Sequence, residues 1–189
     1  MHEQLAKYIL SKVAVNDRQL ETILSYFKVL TSQKNEILLT EGDISKRMFF
    51  VGKGCLRVYF IQEDGLEATR HLAFENAWAT ALMSFIKQTP SKEYIQAVEP
   101  TTLLYISHND FYYLLEAIPG WEKFYRSYLE YAYINNTDRL MTFITMNAAE
   151  RYKLLLQENP IIVQRLPNKM VASYLNISQE TLSRLKSKI

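Results

Sequence analysis

The chain has a single cysteine, Cys55. It therefore has no internal disulfide, and one thiol cannot hold an iron–sulfur cluster. The simplest role for Cys55 is that of a small apolar packing residue. Histidine is nearly as scarce: His2, His71 and His108 are the only three, and no two form a His-x-His pair. A metal-dependent β-roll enzyme of the cupin kind needs clustered histidines with a carboxylate, so this pattern speaks against one. His71, in a strand-like run, is expected to be a packing or surface residue. The sequence has no Gly-x-Ser-x-Gly elbow, no Ser-His-Asp arrangement and no phosphate-cradling Gly-rich loop ahead of a lysine, which removes the signals of acyl transfer and nucleotide hydrolysis. No apolar run is long enough to span a bilayer, and the N-terminus lacks a secretory layout. The expectation is a cytoplasmic protein that is not an enzyme and carries no resident cofactor or metal.

Charge is present but unevenly placed. The net charge is +2, yet from Pro160 onward five bases (Arg165, Lys169, Arg184, Lys186, Lys188) face one acid, Glu180. A basic end on a slightly acidic body suits a nucleic-acid reader with a separate regulatory part.

Residues 3–13 and 16–29 read as helices. Asn16 or Asp17 is the cap of the second, and Leu20, Ile23, Leu24 and Phe27 form one stripe. From about Lys34 to His108, short β-prone runs (37–40, 48–51, 56–61, 68–74, 94–98, 102–107) alternate with Gly-containing turns. That spacing predicts a sandwich or barrel, a jelly roll being one form. Gly42 and Gly65 are expected at positive φ, and Gly52 and Gly54 flank Lys53 in a predicted hairpin. Asn109 should cap a helix over 110–117, ended by Pro119-Gly120. Trp121 to about Asn147 contains neither proline nor glycine and predicts one long helix. Tyr125, Leu129, Ala132, Asn136, Leu140 and Phe143 make a coiled-coil-like seam for a second copy. Trp121, Phe124, Tyr128 and Tyr131 form a stripe for the β domain. Residues 148–157 read as a further helix with Tyr152, Leu155 and Leu156 inward, and Ile161–Leu166 as a short β-prone piece.

The end of the chain, Asn168–Ser187, reads as two short helices around a tight turn. Asn168 is an N-cap, and Val171, Ala172 and Leu175 form an inner face. Asn176 supplies a left-handed turn residue and Ile177 a plug. Ser178 caps a second helix that buries Leu182 and Leu185. Outward from it point Gln179, Glu180, Thr181, Ser183, Arg184 and Lys186. Glutamine pairs with adenine, glutamate accepts from cytosine, and arginine forks onto guanine or holds phosphate.

Taken in order, Glu41-Gly42-Asp43, Phe50 through Tyr59, Glu150-Arg151-Tyr152, Asn159-Pro160, Leu166 to Lys169, Ala172 to Leu175 and Ile177 to Arg184 resemble the Crp/Fnr superfamily of bacterial transcription regulators. The nearest likeness is to the compact branch of Bacteroidetes-type bacteria. The resemblance implies an α+β chain: an N-terminal β jelly roll (double-stranded β-helix) with flanking helices, a long dimerisation helix, and a C-terminal helix-turn-helix of winged-helix type with a reduced wing. The implied divisions are a cyclic-nucleotide-binding-like effector domain at 1–118, the dimerisation helix at 119–147 and the DNA-binding domain at 148–189. Implied partners are double-stranded DNA, a second copy and RNA polymerase, with no membrane. Gln179, Glu180 and Arg184 match base-contacting positions. Thr181, Ser183 and Lys186, with Asn168 and Lys169 on the first helix, complete the expected DNA-binding set.

The effector region departs from the family pattern. Cyclic-nucleotide binders use a Gly-Glu helix start followed by Arg and Ser or Thr, so that backbone N–H groups and a forked cation cradle the phosphate. Here residues 74–85 contain no glycine, and Ser91-Lys92 replaces Arg-Ser. A lysine lacks the bidentate fork. The expected pocket is Trp78, Thr80, Ser84, Phe85, Ser91, Lys92 and Asn136, with an effector other than cyclic AMP or none. The alternatives are an effector-binding protein-interaction module without DNA binding, or a cupin-like enzyme.

Overall fold

A computed structural model describes residues 1–188. The elements are α1 (His2–Leu10), α2 (Asp17–Ser25), β1 (Lys28–Ser32), β2 (Ile37–Leu39), β3 (Arg47–Lys53), β4 (Leu56–Ile61), β5 (Glu67–Ala73), β6 (Trp78–Ala79), α3 (Leu82–Lys87), β7 (Tyr94–Ala97), β8 (Thr101–Ser107), α4 (His108–Ala117), α5 (Pro119–Thr145), α6 (Ala148–Glu158), α7 (Pro160–Arg165), α8 (Asn168–Leu175) and α9 (Gln179–Lys186). The chain is α+β and divides into two compact units. One is Met1–Tyr59 with His71–Glu130; the other is Phe60–Arg70 with the chain from Tyr131 onward.

In the first unit two four-stranded sheets run in the orders β1-β8-β3-β6 and β2-β7-β4-β5. Alternation along each strand serves two cores. Phe49, Val51, Leu56, Val58, Ile95 and Leu103 fill one cluster, with Ala73 and Ala79. Met48, Phe50, Leu104 and Ile106, one residue out of phase, join Leu5, Ile9, Ile23, Phe111, Trp121 and Phe124 from the helices in the other. Full burial of such side chains stabilises by about 1.5–3 kcal/mol each.

Several elements depart from what the sequence predicts. The second helix stops at Ser25, because Lys28–Ser32 pairs antiparallel with β8, Val29 opposite Leu104. Asn16 does cap α2, with a full capping box to Gln19. The Gly52-Lys53-Gly54 stretch is not a hairpin. β3 and β4 lie in different sheets, so these residues turn a corner between them. Gly54 has φ +98°, and a Cβ there would sit 2.6 Å from Thr101 Oγ1 and 2.9 Å from Pro100 O, so no larger residue fits. Gly42 and Gly65 take the expected positive φ. Ser107 rather than Asn109 caps α4, accepting from Asp110 N. Pro119-Gly120 opens α5 instead of closing α4, since proline is pre-set for a first helical position.

Of the β-prone piece Ile161–Leu166, residues 161–165 are helical, and only Leu166 is extended. Pro160 starts α7 and Ile162 is buried, so the start signal and packing override β-branched propensity. No strand follows β8 among the described residues. The outer part of α5 is also rotated from expectation. Tyr125 packs into the first unit's aromatic core, and Phe143 is half-buried beneath the Arg139 and Arg151 guanidinium groups. Neither is free for a seam. Tyr131, expected on the inward stripe, is exposed. The exposed apolar side chains are Tyr133, Ile134, Leu140, Met141 and Ile144. Two aromatic stripes compete for burial in the sequence, and packing takes Trp121, Phe124 and Tyr125 together. No helix among the described residues is long and apolar enough to cross a membrane.

Candidate nucleic-acid interface

In the second unit α8 and α9 form a helix-turn-helix. Pro167 takes the cap position and Asn168 is the first residue of α8, so Asn168 is not the cap its type predicts. Asn176 takes φ 52° and ψ 52°, the left-handed conformation asparagine tolerates, and Ile177 N donates back to Ala172 O at 3.0 Å. Ser178 Oγ accepts from Thr181 N and starts α9. Val171, Ala172, Leu175 and Leu182 are buried between the helices, while Ile177 and Leu185 are half-buried. Tyr152 and Leu155 of α6 are buried and Leu156 is half-buried.

The polar face of α9 is left outward. Gln179, Glu180, Ser183, Arg184 and Lys186 are exposed, and Thr181 is half-buried against Ser178. The Glu180 carboxyl is held below its usual range by its own backbone N–H and the Ser178 hydroxyl, with the Arg184 charge adding to this. Glu180 and Arg184, one turn apart, therefore present an acceptor and a fork side by side. Three members of the expected set have internal partners. Lys186 Nζ donates to Asn168 Oδ1 at 2.6 Å, tying the end of α9 to the start of α8. Lys169 Nζ lies 3.1 Å from Glu67 Oε1.

Two arginines set the frame, and neither was singled out as a site residue from sequence. Arg151 Nη1 donates to Met146 O and Nη2 to Leu175 O, anchoring the end of α8. Arg139 Nη2 donates to Thr69 O at 3.0 Å and Tyr174 O at 2.6 Å, and Nη1 donates to Arg70 O. Burial lowers the Arg139 pKa from its ordinary value. Arg151 stood in the Glu150-Arg151-Tyr152 motif, which was a usable signal. Arg139 looked like any solvated helix cation.

The residues expected to form an effector pocket are scattered between packing and structural hydrogen bonds. Trp78 and Phe85 are buried in the first unit's aromatic core. Thr80 Oγ1 donates to Arg47 O, Ser84 Oγ donates to Thr89 O and accepts from Ser45 N, and Ser91 Oγ donates to Glu93 O. Lys92 is exposed. Asn136 lies in the second unit, on a cavity of about 280 Å³ that also has Phe60, Thr69, Arg139 and Ser173 in its wall. The first unit has an open cavity of about 550 Å³ along Leu38, Leu39, Asp43, Ser45, Arg47 and Phe49, and none of the seven expected residues lines it. Cys55 is buried. His71 Nε2 is 2.9 Å from Trp78 O, a packing role. Among the described residues no three His, Cys, Asp or Glu side chains are grouped to hold a metal.

Residues 29–117 match the family model of the cyclic nucleotide-binding domain. Solved structures match across most of the chain. The c-di-GMP-responsive global regulator CLP of Xanthomonas campestris is 14% identical, with 92% of this chain and 91% of that chain covered and a TM-score of 0.74. FixK2 of Bradyrhizobium japonicum is 15% identical over 86% and 83%, with a TM-score of 0.70. A protein assigned to the Crp/Fnr family from Eubacterium rectale is 18% identical over 90% and 82%, with a TM-score of 0.68. No curated protein sequence matches the chain.

Proposed function

We propose that this chain, whose residues 29–117 match the cyclic nucleotide-binding domain and whose fold resembles that of solved Crp/Fnr-type regulators, is a cytoplasmic, homodimeric, sequence-specific DNA-binding transcription regulator. The observation that carries the reading is the outward face of α9. Gln179, Glu180 and Arg184 are exposed on a helix whose other face is fixed by buried Leu182. In a helix-turn-helix the second helix enters the major groove and the first crosses the backbone. Gln179, Glu180 and Arg184 then read base edges. Thr181, Ser183 and Lys186, with Asn168 and Lys169, take the phosphates and support the fold.

The exposed stripe of α5 supports a second copy. Tyr133, Thr137, Leu140 and Ile144 step by four, three and four residues, the spacing of a coiled-coil seam, and Ile134 and Met141 flank it. Two copies give two recognition helices and a two-fold symmetric operator. The strand orders β1-β8-β3-β6 and β2-β7-β4-β5 support a jelly roll, and the helical α7 over Pro160–Arg165 supports a reduced wing. The effector is one other than cyclic AMP, or none. The hydroxyls of Thr80, Ser84 and Ser91 are engaged in the fold, and no arginine stands at Ser91-Lys92. RNA polymerase is the partner such a regulator addresses.

Footprinting on the DNA upstream of the protein's own gene tests the reading. A salt-sensitive, two-fold symmetric footprint, lost in Glu180→Ala and Arg184→Ala, is the expected result. A non-palindromic footprint, or monomers on DNA, would sink the dimer; no footprint would sink DNA binding.

A further inference from the structure

The hairpin tip Phe60–Arg70 belongs by contact to the same unit as the helix-turn-helix, and it sits on the first helix of that motif. Ser173 Oγ donates to Glu67 O at 2.8 Å and accepts from Thr69 N at 2.9 Å, and it lies 2.8 Å from Thr69 Oγ1. One turn earlier on the same face of α8, Lys169 Nζ is 3.1 Å from the Glu67 carboxylate. Arg139 of α5 closes the arrangement by donating to carbonyls of both Thr69 and Tyr174. The tip is acidic: Glu63, Asp64 and Glu67 stand against one base, Arg70.

The first helix of such a motif crosses the DNA backbone, and Lys169, in the proposed phosphate-contacting set, is the residue the tip engages. A carboxylate and a phosphate compete for one ammonium group, and both cannot be the near partner of Lys169. A duplex approaching α8 also meets the acids of the tip, and like charges at close range disfavour encounter. We infer that the hairpin tip is an autoinhibitory clasp on α8, with Glu67 as the internal substitute for a DNA phosphate at Lys169 and Ser173 as the catch that holds it there. The inference rests on the DNA-binding reading above. In the clasped state α9 is presented while the backbone grip of α8 is withheld, so affinity is held below what the same interface reaches when the tip lifts.

The test uses the full-length protein and a duplex obtained from it by selection from a random pool, with anisotropy titrations at one salt concentration. Ser173→Ala removes the three bonds of the catch and is expected to tighten binding roughly fivefold to tenfold. Glu67→Gln removes the carboxylate charge beside Lys169 and should tighten binding roughly twofold to fivefold. Lys169→Gln should weaken binding, and adding Glu67→Gln to it should gain less than Glu67→Gln gains alone. If a structural role were the whole of it, Ser173→Ala and Glu67→Gln would lower thermal stability and leave affinity equal or weaker, which overturns the clasp. Wild-type binding that Lys169→Gln weakens, without tightening in the other two variants, overturns the clasp while DNA binding stands. If no duplex is enriched and none binds, the DNA-binding reading fails and the clasp with it.

Discussion

Residues 74–92 and residues 168–187 are both short, both partly helical and both rich in hydroxyl and amide side chains, yet they use them in opposite ways. In the first stretch three hydroxyls turn inward. Thr80, Ser84 and Ser91 are buried and bonded to backbone, and Trp78 and Phe85 are built into an aromatic core with Phe50, Phe111 and Trp121. In the second stretch the apolar groups turn inward, and Gln179, Glu180, Ser183 and Arg184 are left to solvent. A buried hydroxyl whose donor and acceptor capacity is consumed by the fold has little left for a ligand. An exposed fork or amide on a rigid helix has its capacity unspent. The hydroxyls of residues 80, 84 and 91 are spent on the fold, while the polar groups of α9 are left to solvent.

Four measurements break or sharpen that contrast, from the largest effect to the smallest. Phe85→Ala should cost about 3–5 kcal/mol of unfolding free energy by denaturant titration, because Phe85 is fully buried. A loss under 1 kcal/mol would reopen that stretch as a pocket. Ile144→Asp on the exposed stripe of α5 should leave the fold intact and weaken self-association by about 3 kcal/mol or more, since the residue is lost from both copies; sedimentation at falling concentration reads this. Arg184→Ala should leave stability within about 0.5 kcal/mol, as surface changes do, and cost about 1–3 kcal/mol on the cognate duplex if the contact is to a base. Equal loss on all duplexes would make it a phosphate contact instead. Cyclic AMP should leave the melting temperature unmoved, whereas a ligand bound at a hundred times its Kd would add about 2.7 kcal/mol.

The inner end of α5 offers a pH test of the packed side. Burial, with a smaller contribution from the Tyr112 charge, pushes the Tyr125 phenol up to about 12. Its folded pKa is above its unfolded value, so the stability it contributes is complete below about pH 10 and is lost as pH rises toward 12. Alkaline titration followed by tyrosinate absorbance should lose a late-ionising ring in Tyr125→Phe.

How much was legible in the sequence depended on whether a signal was local. The α8–α9 turn was readable because Asn176, Ser178 and the apolar positions each specify their own backbone, and the slips, Asn168 for Pro167 as cap and Leu185 half-buried where burial was expected, were single residues. Six of the strands were readable from alternation between turns. β1 and the two-residue β6 were not, because Lys28–Ser32 and Trp78–Ala79 become strands only by pairing with β8 and β3. Gly52-Lys53-Gly54 carries hairpin chemistry, and only the sheet assignment of its neighbours shows a corner. Tyr125 and Phe143 of the expected α5 seam pack inward because helical spacing marks stripes without ranking them; the aromatic cluster around Trp121 takes Tyr125 and leaves Tyr133 and Ile144 outside. Arg139 and Ser173 were beyond reach, since their partners lie 35 to 106 positions away in the chain.

The most direct measurement is selection of duplexes from a random pool by the full-length protein, repeated with Arg184→Ala. The account predicts a two-fold symmetric motif with half-sites about one helical turn, roughly 34 Å, apart, and relaxation of one position in each half-site in the variant. No enrichment, or the same motif from both proteins, would contradict it.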